Sequence, residues 1–442
     1  MRESVGSVLW FERFCSLEEG RRLGSKVSEQ IIDGRGDRKP RVIFSVSVPL
    51  ALRLLRGFPE FMVENGWEVH VVSAPGPQFT AWAQDRRIHF HAIEMERNPS
   101  PLQDLKSLAA WIRLCRTVKP DLVSVGTPKT GLLGGLASWA TRVPRRVYVQ
   151  RGLRLETTKG IRRLVYWLTE RVTVGVSHSV LAVSPSLLDV MVRLRLSRPE
   201  KILVLGSGSS NGVDVHEFEA SAFRVGQVDE LRRSLGLGVG IPTIGFVGRL
   251  TRDKGFDILE TAITQLYKVG STFNLLVVGG VDDSSSQATL ERIHESGIKV
   301  VATGAVPDPA IYFQLMDLFC FPTYREGYPN VVLEASASGV PTITTDATGA
   351  VDSVIHGETG LIVPMGDPDS LARALTQMLS DKQELLRMGA NARAHVEAHF
   401  DRPYVWRLLN HYYLEQLAMT PGVYSPLRRD SGATNHGTLE GT

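Results

Sequence analysis

Cysteine is scarce in this chain of 442 residues, and the three present (Cys15, Cys115, Cys320) lie far apart with no CxxC pair. This excludes a disulfide framework and a cysteine-built zinc site, and it favours a reducing compartment. No stretch reaches about 18 uninterrupted apolar residues. Glu12 and Arg13 interrupt the apolar patch at the N-terminus, which therefore matches neither a secretory signal nor a membrane span. The sequence predicts a soluble, cytoplasmic protein.

Several nucleotide and metal motifs are also missing. No GxxxxGK[ST] occurs, which argues against a P-loop NTPase, and the glycines of 206–212 fit the dinucleotide fingerprint with one residue too many. No His/Asp cluster has metal-ligand spacing. Asp367-Pro-Asp369 is formally a DxD motif, but its position before a helical stretch favours a helix cap. We expect no resident cofactor and no metal in the catalytic site.

Charge is distributed unevenly, although the overall composition (43% hydrophobic, 22% charged) is that of a globular protein with two or three domains. The first 200 residues carry 31 basic and 19 acidic side chains, and the other 242 carry 19 and 28. Residues 101–200 alone have 17 basic against 6 acidic. The basic half should face a phosphate-bearing substrate, an anionic membrane surface or nucleic acid, unless it is merely a solvated face. The absence of an aromatic-interleaved basic motif argues against nucleic acid.

Short β-branched runs alternate with amphipathic helical stretches from residue 41 onward, which is typical of βαβ units. The pattern predicts an α/β fold with two Rossmann-like domains that face each other across a cleft. The predicted strands are 41–48, 67–73, 88–93, 121–125, 147–150, 181–184, 202–205, 243–248, 274–280, 299–304, 318–322, 342–345 and 360–364. The predicted divisions are an extension over 1–40, a first domain over 41–218, a second over 219–400, a helix over 401–417 and a loose tail over 418–442.

The strongest functional signal is TYREGYPNVVLEASASG at 323–339, directly after a predicted strand. Glu326 lies in the loop, Asn330 is placed to cap the next helix, and Glu334 falls in its first turns. Because a helix N-terminus offers unpaired N–H groups and partial positive charge, it suits a diphosphate. The two glutamates could bind sugar hydroxyls; alternatively, Glu326 is solvated and Glu334 only complements the helix dipole. The backbone at this helix start comes from Pro329, Asn330, Val331 and Val332, with N–H groups on all but the proline.

A second signal is GFVGRLTRDKG at 245–255, again a strand, a loop and a helix. Gly248 permits a tight turn, and Arg249 and Lys254 could both reach one phosphate group. Cations beside a departing diphosphate stabilise the charge that develops as its bond breaks. Alone, the pair is better explained as two surface cations that flank a turn.

Together these two loops, with seven residues between Glu326 and Glu334, resemble the retaining glycosyltransferases of family 4, which have the GT-B fold. The resemblance covers nearly all of 41–417. In the first half, the segments GTPKTGLLGGLAS, RGLRLETTKG and LGSGSSNGVD resemble the bacterial subgroup that builds capsules and exopolysaccharides.

The resemblance implies roles for particular residues. Arg249 and Lys254 would bind the donor diphosphate, Glu326 the donor sugar and Glu334 the ribose, with Val306 beside the base. Gly248, Gly327 and Tyr328 complete the expected donor site with the backbone donors named above. The implied donor is a nucleotide-sugar, with UDP favoured, and the implied transfer retains the anomeric configuration without a metal. A polyprenyl-linked or saccharide acceptor at the inner membrane face would suit the basic half, with peripheral contact to anionic lipid.

The first half departs from the family pattern. Arg151 stands where many relatives have a histidine, and Ser124 and Gly126 replace two further histidines common in relatives. An arginine cannot act as a general base, but it can bind a phosphate or a hydroxyl. Arg151 and Lys129 are therefore candidates for the acceptor side, and a partly buried arginine with a carboxylate partner is the structural alternative.

Two other functions stay open from the sequence. A nucleotide-sugar 2-epimerase also uses two facing Rossmann-like domains, and it would convert one UDP-sugar into another without an acceptor. A protein that kept the nucleotide site but lost activity would bind UDP without consuming a donor.

Overall fold

A computed structural model describes residues 38–85, 87–96, 100–219 and 222–419. In this part of the chain the first half contains one parallel sheet. Its strands are β1 Arg41–Ser45, β2 Glu68–Ser73, β3 His89–Ala92, β4 Leu122–Val125, β5 Arg145–Gln150, β6 Ser179–Ala182 and β7 Ile202–Leu203. Its α-helices are α1 Phe58–Glu64, α2 Pro77–Trp82, α3 Pro101–Val118, α4 Pro128–Ala140, α5 Gly160–Val176 and α6 Pro185–Arg193. Short 3₁₀ helices cover Pro49–Leu55, Arg154–Glu156 and Pro199–Lys201.

The second half repeats this plan with a second parallel sheet. Its strands are β8 Thr243–Val247, β9 Asn274–Val278, β10 Lys299–Ala302, β11 Leu318–Phe321, β12 Thr342–Thr345 and β13 Gly360–Val363. Its α-helices are α7 Ala222–Ser234, α8 Phe256–Lys268, α9 Ser284–Glu295, α10 Ala310–Phe313, α11 Asn330–Ala337, α12 Pro368–Ser380, α13 Lys382–His399 and α14 Arg402–Ala418. Further 3₁₀ turns lie at Arg252–Lys254 and Val351–Ser353.

The strand orders place a switch point in each sheet. The first sheet runs β3-β2-β1-β4-β5-β6-β7 and the second β10-β9-β8-β11-β12-β13. Every pair is parallel, as in the registers Val42↔Leu122 and Leu318↔Ile244. The order therefore reverses between β1 and β4 and between β8 and β11. Ligands of such sheets bind outside the carboxyl ends of the strands at these points.

The predicted α/β fold with two Rossmann-like sheets is confirmed, since each of the thirteen predicted stretches overlaps one observed strand. β4, β8, β9, β11 and β12 are buried at every position. Parallel strands are covered on both faces, and their sequences therefore show continuous apolar runs rather than an alternation of apolar and polar residues. The divisions at 218 and 400 stay predictions.

The helical stretch after β1 is broken into two. A 3₁₀ helix ends at Leu55 and α1 begins at Phe58. Gly57 separates them with φ +79°, and a Cβ there would stand 2.5 Å from the Trp406 ring. The break lets the indole pack against this turn, where it also lies 5.5 Å from the ring of Phe61.

Both sheets belong to one compact unit, Pro40–Asn410. The other unit comprises Met1–Lys39 and His411–Thr442, and in its described part His411 Nε2 lies 3.2 Å from Glu415 Oε1. The predicted extension, up to residue 37, and the predicted tail, from residue 420, lie outside the described residues. None of the helices in the described ranges combines the length and apolarity needed to cross a bilayer.

Candidate active site

A cavity of about 500 Å³ opens where the loops after β8 and β11 meet the loop after β5. Its lining side chains include six cations and three carboxylates, so its field favours an anionic guest. The lining residues are Arg151, Arg154, Arg249, Thr251, Arg252, Asp253, Lys254, Asp283, Arg325, Glu326 and Gly327. Five of the sequence-predicted residues are therefore brought together here: Arg151, Arg249, Lys254, Glu326 and Gly327.

A glycine places the lysine of this cavity. Gly255 follows the 3₁₀ turn Arg252–Lys254 with φ +71°, and a Cβ on it would stand 1.8 Å from the Pro322 carbonyl oxygen. Only glycine allows both the left-handed backbone and this approach to the chain that leaves β11. The turn therefore lies directly against the glutamate loop.

Hydrogen bonds fasten the glutamate loop to that turn. The Tyr324 N–H and the Thr323 hydroxyl both donate to the Asp253 carbonyl oxygen at 3.0 Å. The Glu326 N–H donates to the Thr348 carbonyl oxygen at 2.9 Å. Lys254 Nζ consequently reaches Glu326 Oε1 in a hydrogen-bonded ion pair. Both side chains are less than a fifth exposed (18% and 15%), so the pair is shielded while still facing the cavity.

The other predicted cation, Arg249, is more exposed and holds a different partner. Its Nη1 lies 2.6 Å from Asp282 Oδ2. Asp282 and Asp283 are exposed acids in the loop after β9, and each also has a partner. Asp282 pairs with Arg249, and Asp283 caps α9 by accepting from the Ser286 N–H at 2.8 Å. The loop after β9 therefore supplies the partner of Arg249, which follows β8. The sequence gave no signal for this contact.

The carboxylate of Asp253 stays ionised among these cations. Desolvation opposes this, but the hydrogen bond from Thr251 (2.6 Å) and the charges of Lys254 and Arg325 together hold the pKa of Asp253 below its usual value. The cavity therefore contains several cationic side chains and an ionised carboxylate that holds them in place.

The predicted cap of α11 is wrong. Helix α11 begins at Asn330 itself, the capping position is Pro329, and no side chain caps it. The amide of Asn330 is thus part of the first turn, beside Val331, and the backbone N–H groups of that turn remain the donors the helix can offer. Pro329 is buried, whereas Asn330 and Val331 are half-buried.

Glu334 lies one turn into α11 and is half-buried. Desolvation raises its pKa to about 7, while the charges of Arg53 and Arg402 act in the opposite direction. Arg53 comes from the 3₁₀ helix after β1. The first half thus sends a cation toward the glutamate that resembles a ribose ligand, and the sequence gave no signal for it.

Three further predicted residues are not among those that line the cavity. Gly248 ends β8 with φ +147°, and its carbonyl oxygen would stand 1.8 Å from a Cβ at Gly279. Tyr328 is buried, and its hydroxyl donates to the Asp352 carbonyl oxygen at 3.0 Å. Val306 is half-buried in the loop after β10. Gly248 and Tyr328 shape the loops, and neither faces the cavity.

On the acceptor side, only one of the two predicted residues lines the cavity. Arg151 follows β5, and its Nη1 donates to the Gly126 carbonyl oxygen at 2.7 Å. A Cβ at Gly126 would stand 1.6 Å from that nitrogen, so the guanidinium occupies the space of a side chain at 126. Lys129 lies on α4 and forms an ion pair with Asp104 (2.6 Å).

The two halves touch directly beside the cavity. A Cβ on Gly327 would stand 2.3 Å from the Arg151 carbonyl oxygen. Nearby, the Thr348 hydroxyl donates to Glu156 Oε1 at 2.6 Å, and the Gly349 N–H donates to Ser186 Oγ at 2.7 Å. These contacts set the spacing between Arg151 and the Lys254 loop.

Six cavity residues were not predicted: Arg154, Thr251, Arg252, Asp253, Asp283 and Arg325. Arg325 precedes Glu326, and three of the others lie between Arg249 and Lys254, so attention to the whole loops would have found them. Arg154 belongs to the other half, and only the fold brings it here.

Solved structures share this architecture. HepE of Anabaena in complex with UDP and glucose superimposes with a TM-score of 0.69 over 86% of this chain and 99% of its own, at 20% identity. Two Rossmann-like halves around a cationic cavity define the GT-B class of glycosyltransferase.

Two family models divide the chain in the same way. Glycosyl transferase 4-like domain matches residues 51–208, and Glycosyl transferases group 1 matches residues 227–395. The capsular polysaccharide biosynthesis glycosyltransferase CapM of Staphylococcus aureus is 35% identical over 85% of this chain and 97% of its own length. The UDP-Gal:alpha-D-GlcNAc-diphosphoundecaprenol alpha-1,3-galactosyltransferase of Escherichia coli is 25% identical over 73% of this chain and 83% of its own. The chain belongs to this glycosyltransferase family, and the resemblance to family 4 and its capsule subgroup is confirmed.

Proposed function

We propose that this enzyme transfers a sugar from a UDP-sugar to a polyprenyl-diphosphate-linked or saccharide acceptor, with retention, in the synthesis of a surface polysaccharide. The observation that carries the proposal is the shielded Lys254–Glu326 pair in a cavity with six cations. The donor and acceptor named for the Escherichia coli relative, and the UDP and glucose named for HepE, support it. The half over 219–400 binds the donor and the half over 41–218 the acceptor.

The chemistry follows from the charges. The bond between the anomeric carbon and the diphosphate oxygen lengthens, and negative charge gathers on the diphosphate. Lys254 and Arg249 turn from their carboxylates to that charge and stabilise it, because preorganised cations act most strongly where charge develops. The acceptor hydroxyl attacks on the same face, and its proton passes to the departing diphosphate oxygen. No metal is required in this scheme.

The remaining roles place the donor. Glu326, released from Lys254, accepts hydrogen bonds from hydroxyls of the donor sugar. Glu334 accepts the ribose hydroxyls, and the N–H groups of Asn330 and Val331 face the diphosphate. Val306 lies beside the base, and Arg151 binds the acceptor from the first half.

We further propose that the first half contacts an anionic membrane through α5. Ile161, Leu164, Val165, Leu168 and Val172 are 42–73% exposed. Their spacing puts them on one helix face, here called the α5 strip. The exposed cations Lys159, Arg162 and Arg163 accompany its first turn. An apolar strip bordered by cations fits the interface of a bilayer with anionic lipids.

Titration of UDP into the full chain tests the donor proposal. We expect one UDP per chain, and about 10- to 100-fold weaker binding in Lys254→Ala, since a charge-assisted bond contributes about 1.5–3 kcal/mol. Lys268→Ala removes an exposed lysine of α8 and serves as the matched control. Equal UDP affinity in Lys254→Ala and the parent would contradict the donor site. Consumption of a UDP-sugar without an acceptor would indicate the epimerase, and binding without any consumption would indicate the inactive protein.

Co-sedimentation with vesicles tests the membrane proposal. The parent should bind phosphatidylglycerol vesicles and lose binding at high salt, because surface charges are screened. The double change Leu164→Glu and Leu168→Glu should abolish binding, whereas Val239→Glu, at a loop residue 90% exposed in the other half, should not. Equal binding to phosphatidylcholine, or none, would contradict it.

A further inference from the structure

Four titratable side chains gather on one face of the first sheet, away from the cavity. Glu68 and His70 lie two residues apart on β2, and His89 and His91 two residues apart on β3. Residues two apart on a strand point to the same face. The parallel register pairs His70 with His89, which brings the four together. We call them the β2–β3 cluster.

The atoms of the β2–β3 cluster have the spacing of metal ligands. Glu68, His70 and His89 each place one ligand atom within 4.8 Å of the other two. Glu68 Oε1 and His70 Nε2 stand 3.1 Å apart. Two ligands about 2.0–2.1 Å from a tetrahedral zinc ion lie roughly 3.3 Å from each other. His89 is exposed and its ring stacks on that of His70 with the centroids 4.7 Å apart, so a rotation of the His89 side chain would bring its nitrogen to the third position.

The supporting contacts are also those of a metal site. His70 Nδ1 and His91 Nε2 are 2.9 Å apart, so a His70 ring bound through Nε2 donates its other N–H to His91. Arg41 Nε donates to Glu68 Oε2 at 2.9 Å, which leaves Oε1 to face the histidines. Bound histidines and carboxylates are usually oriented by such second partners.

We propose that Glu68, His70 and His89 bind one zinc ion, with His91 and Arg41 orienting the ligands. Imidazole and carboxylate donors suit zinc, whereas magnesium and calcium prefer oxygen alone. The sequence showed no metal-ligand spacing because the ligands come from two strands, 21 positions apart at most.

The zinc is structural and takes no part in transfer. The ligand Glu68 begins β2, roughly 17 Å from the carboxyl end of that strand at about 3.3 Å per residue, whereas the cavity is lined by loops that follow the carboxyl ends of β5, β8, β9 and β11. Strand β3 is the edge of its sheet. An ion shared by β2 and β3 therefore ties that edge strand to its neighbour.

Zinc titration by calorimetry, on the full untagged chain stripped with a chelator, tests the proposal. We expect one zinc per chain and a Tm that rises with zinc concentration. His89→Ala changes an exposed residue and should still fold, and it should lose at least about 100-fold in zinc affinity. His91→Phe, which removes only an orienting partner, should lose about 10- to 100-fold. His294→Ala, an exposed histidine of α9, is the matched control.

Cobalt substitution supplies a second readout, because four-coordinate cobalt absorbs visible light far more strongly than six-coordinate cobalt. The parent should give the strong spectrum, and His89→Ala should lose it. Absence of zinc binding to the parent would overturn the site. So would equal zinc affinity in His89→Ala and His294→Ala, since the binding would then be adventitious.

Discussion

The two halves of the molecule contribute to the cavity in different ways. The second half supplies two contiguous loops, 249–254 and 325–327, which hydrogen bonds and Gly255 fasten together. The first half supplies Arg151 and Arg154 from a single loop, and Arg151 fills the space left by a glycine at 126. The donor side is thus a local motif, whereas the acceptor side depends on which segments the fold brings near.

The charges follow the same division. Residues 101–200 carry 17 basic and 6 acidic side chains, and they include both first-half cavity arginines and the cations beside the α5 strip. The basic excess therefore lies near the proposed acceptor side and membrane face. The predictions below test whether the two halves really have separate tasks.

The largest effect is expected in the donor half. Lys254→Ala should lower kcat about 100- to 1000-fold, as removal of one preorganised donor to a developing charge does in other enzymes. The measurement is the rate of UDP release from the UDP-sugar that the parent consumes. Lys268→Ala should leave this rate unchanged, and a kcat within about threefold of the parent for Lys254→Ala would rule out its role in transfer.

The next effect concerns the contact between the halves. Gly152 has φ +121°, and a Cβ there would stand 3.3 Å from the Gly327 nitrogen. Gly152→Ala should strain this backbone, shift the contact by a few tenths of an ångström and lower turnover by up to about a hundredfold, since small misplacements of reacting groups are costly. UDP affinity should change little, because the donor loops are intact. Gly175→Ala, where nothing lies within 4 Å of the new Cβ, is the control. Equal losses of turnover and UDP affinity would show that the two tasks are not separable.

The fold could be predicted from the sequence because parallel strands and their helices alternate with distinct periods. The cavity residues Arg249, Lys254 and Glu326 could also be predicted, since each follows a strand within one short loop. Prediction from the sequence failed where contact depends on distant segments, as with Asp282 beside Arg249, Arg53 near Glu334 and Gly57 beneath Trp406. The prediction that Asn330 caps α11 was wrong for a local reason, because Pro329 occupies the capping position.

A third effect concerns a buried carboxyl group in the first half. Glu170 accepts hydrogen bonds from Tyr148 (3.0 Å) and Gln150 (2.9 Å), yet desolvation raises its pKa to about 7. Above pH 4.5 the unfolded chain releases this proton while the folded chain keeps it until about pH 7. The folded state therefore loses stability as pH rises through this window.

Glu170→Gln removes that titration and keeps an oxygen that accepts both hydrogen bonds. Relative to the parent, its free energy of unfolding should be about 2 kcal/mol larger at pH 8 than at pH 5, because only the parent loses stability as the pH rises. Urea unfolding at both pH values measures this, and any cost of the amide that is independent of pH cancels. The exposed Glu295→Gln should show no such difference. A parallel shift at both pH values would mean that Glu170 ionises normally in the folded chain.

The smallest expected effect lies on the acceptor side. Arg151→Ala should raise the acceptor KM about tenfold, the loss of roughly one charge-assisted hydrogen bond, and leave UDP affinity unchanged. Arg116→Ala removes an exposed arginine from the same half and controls for the change in net charge. If UDP affinity falls in Arg151→Ala while the acceptor KM holds, Arg151 serves the donor diphosphate instead. The arginine that replaces the usual histidine would then extend the donor site into the first half. The first half would then bind the donor as well as the acceptor.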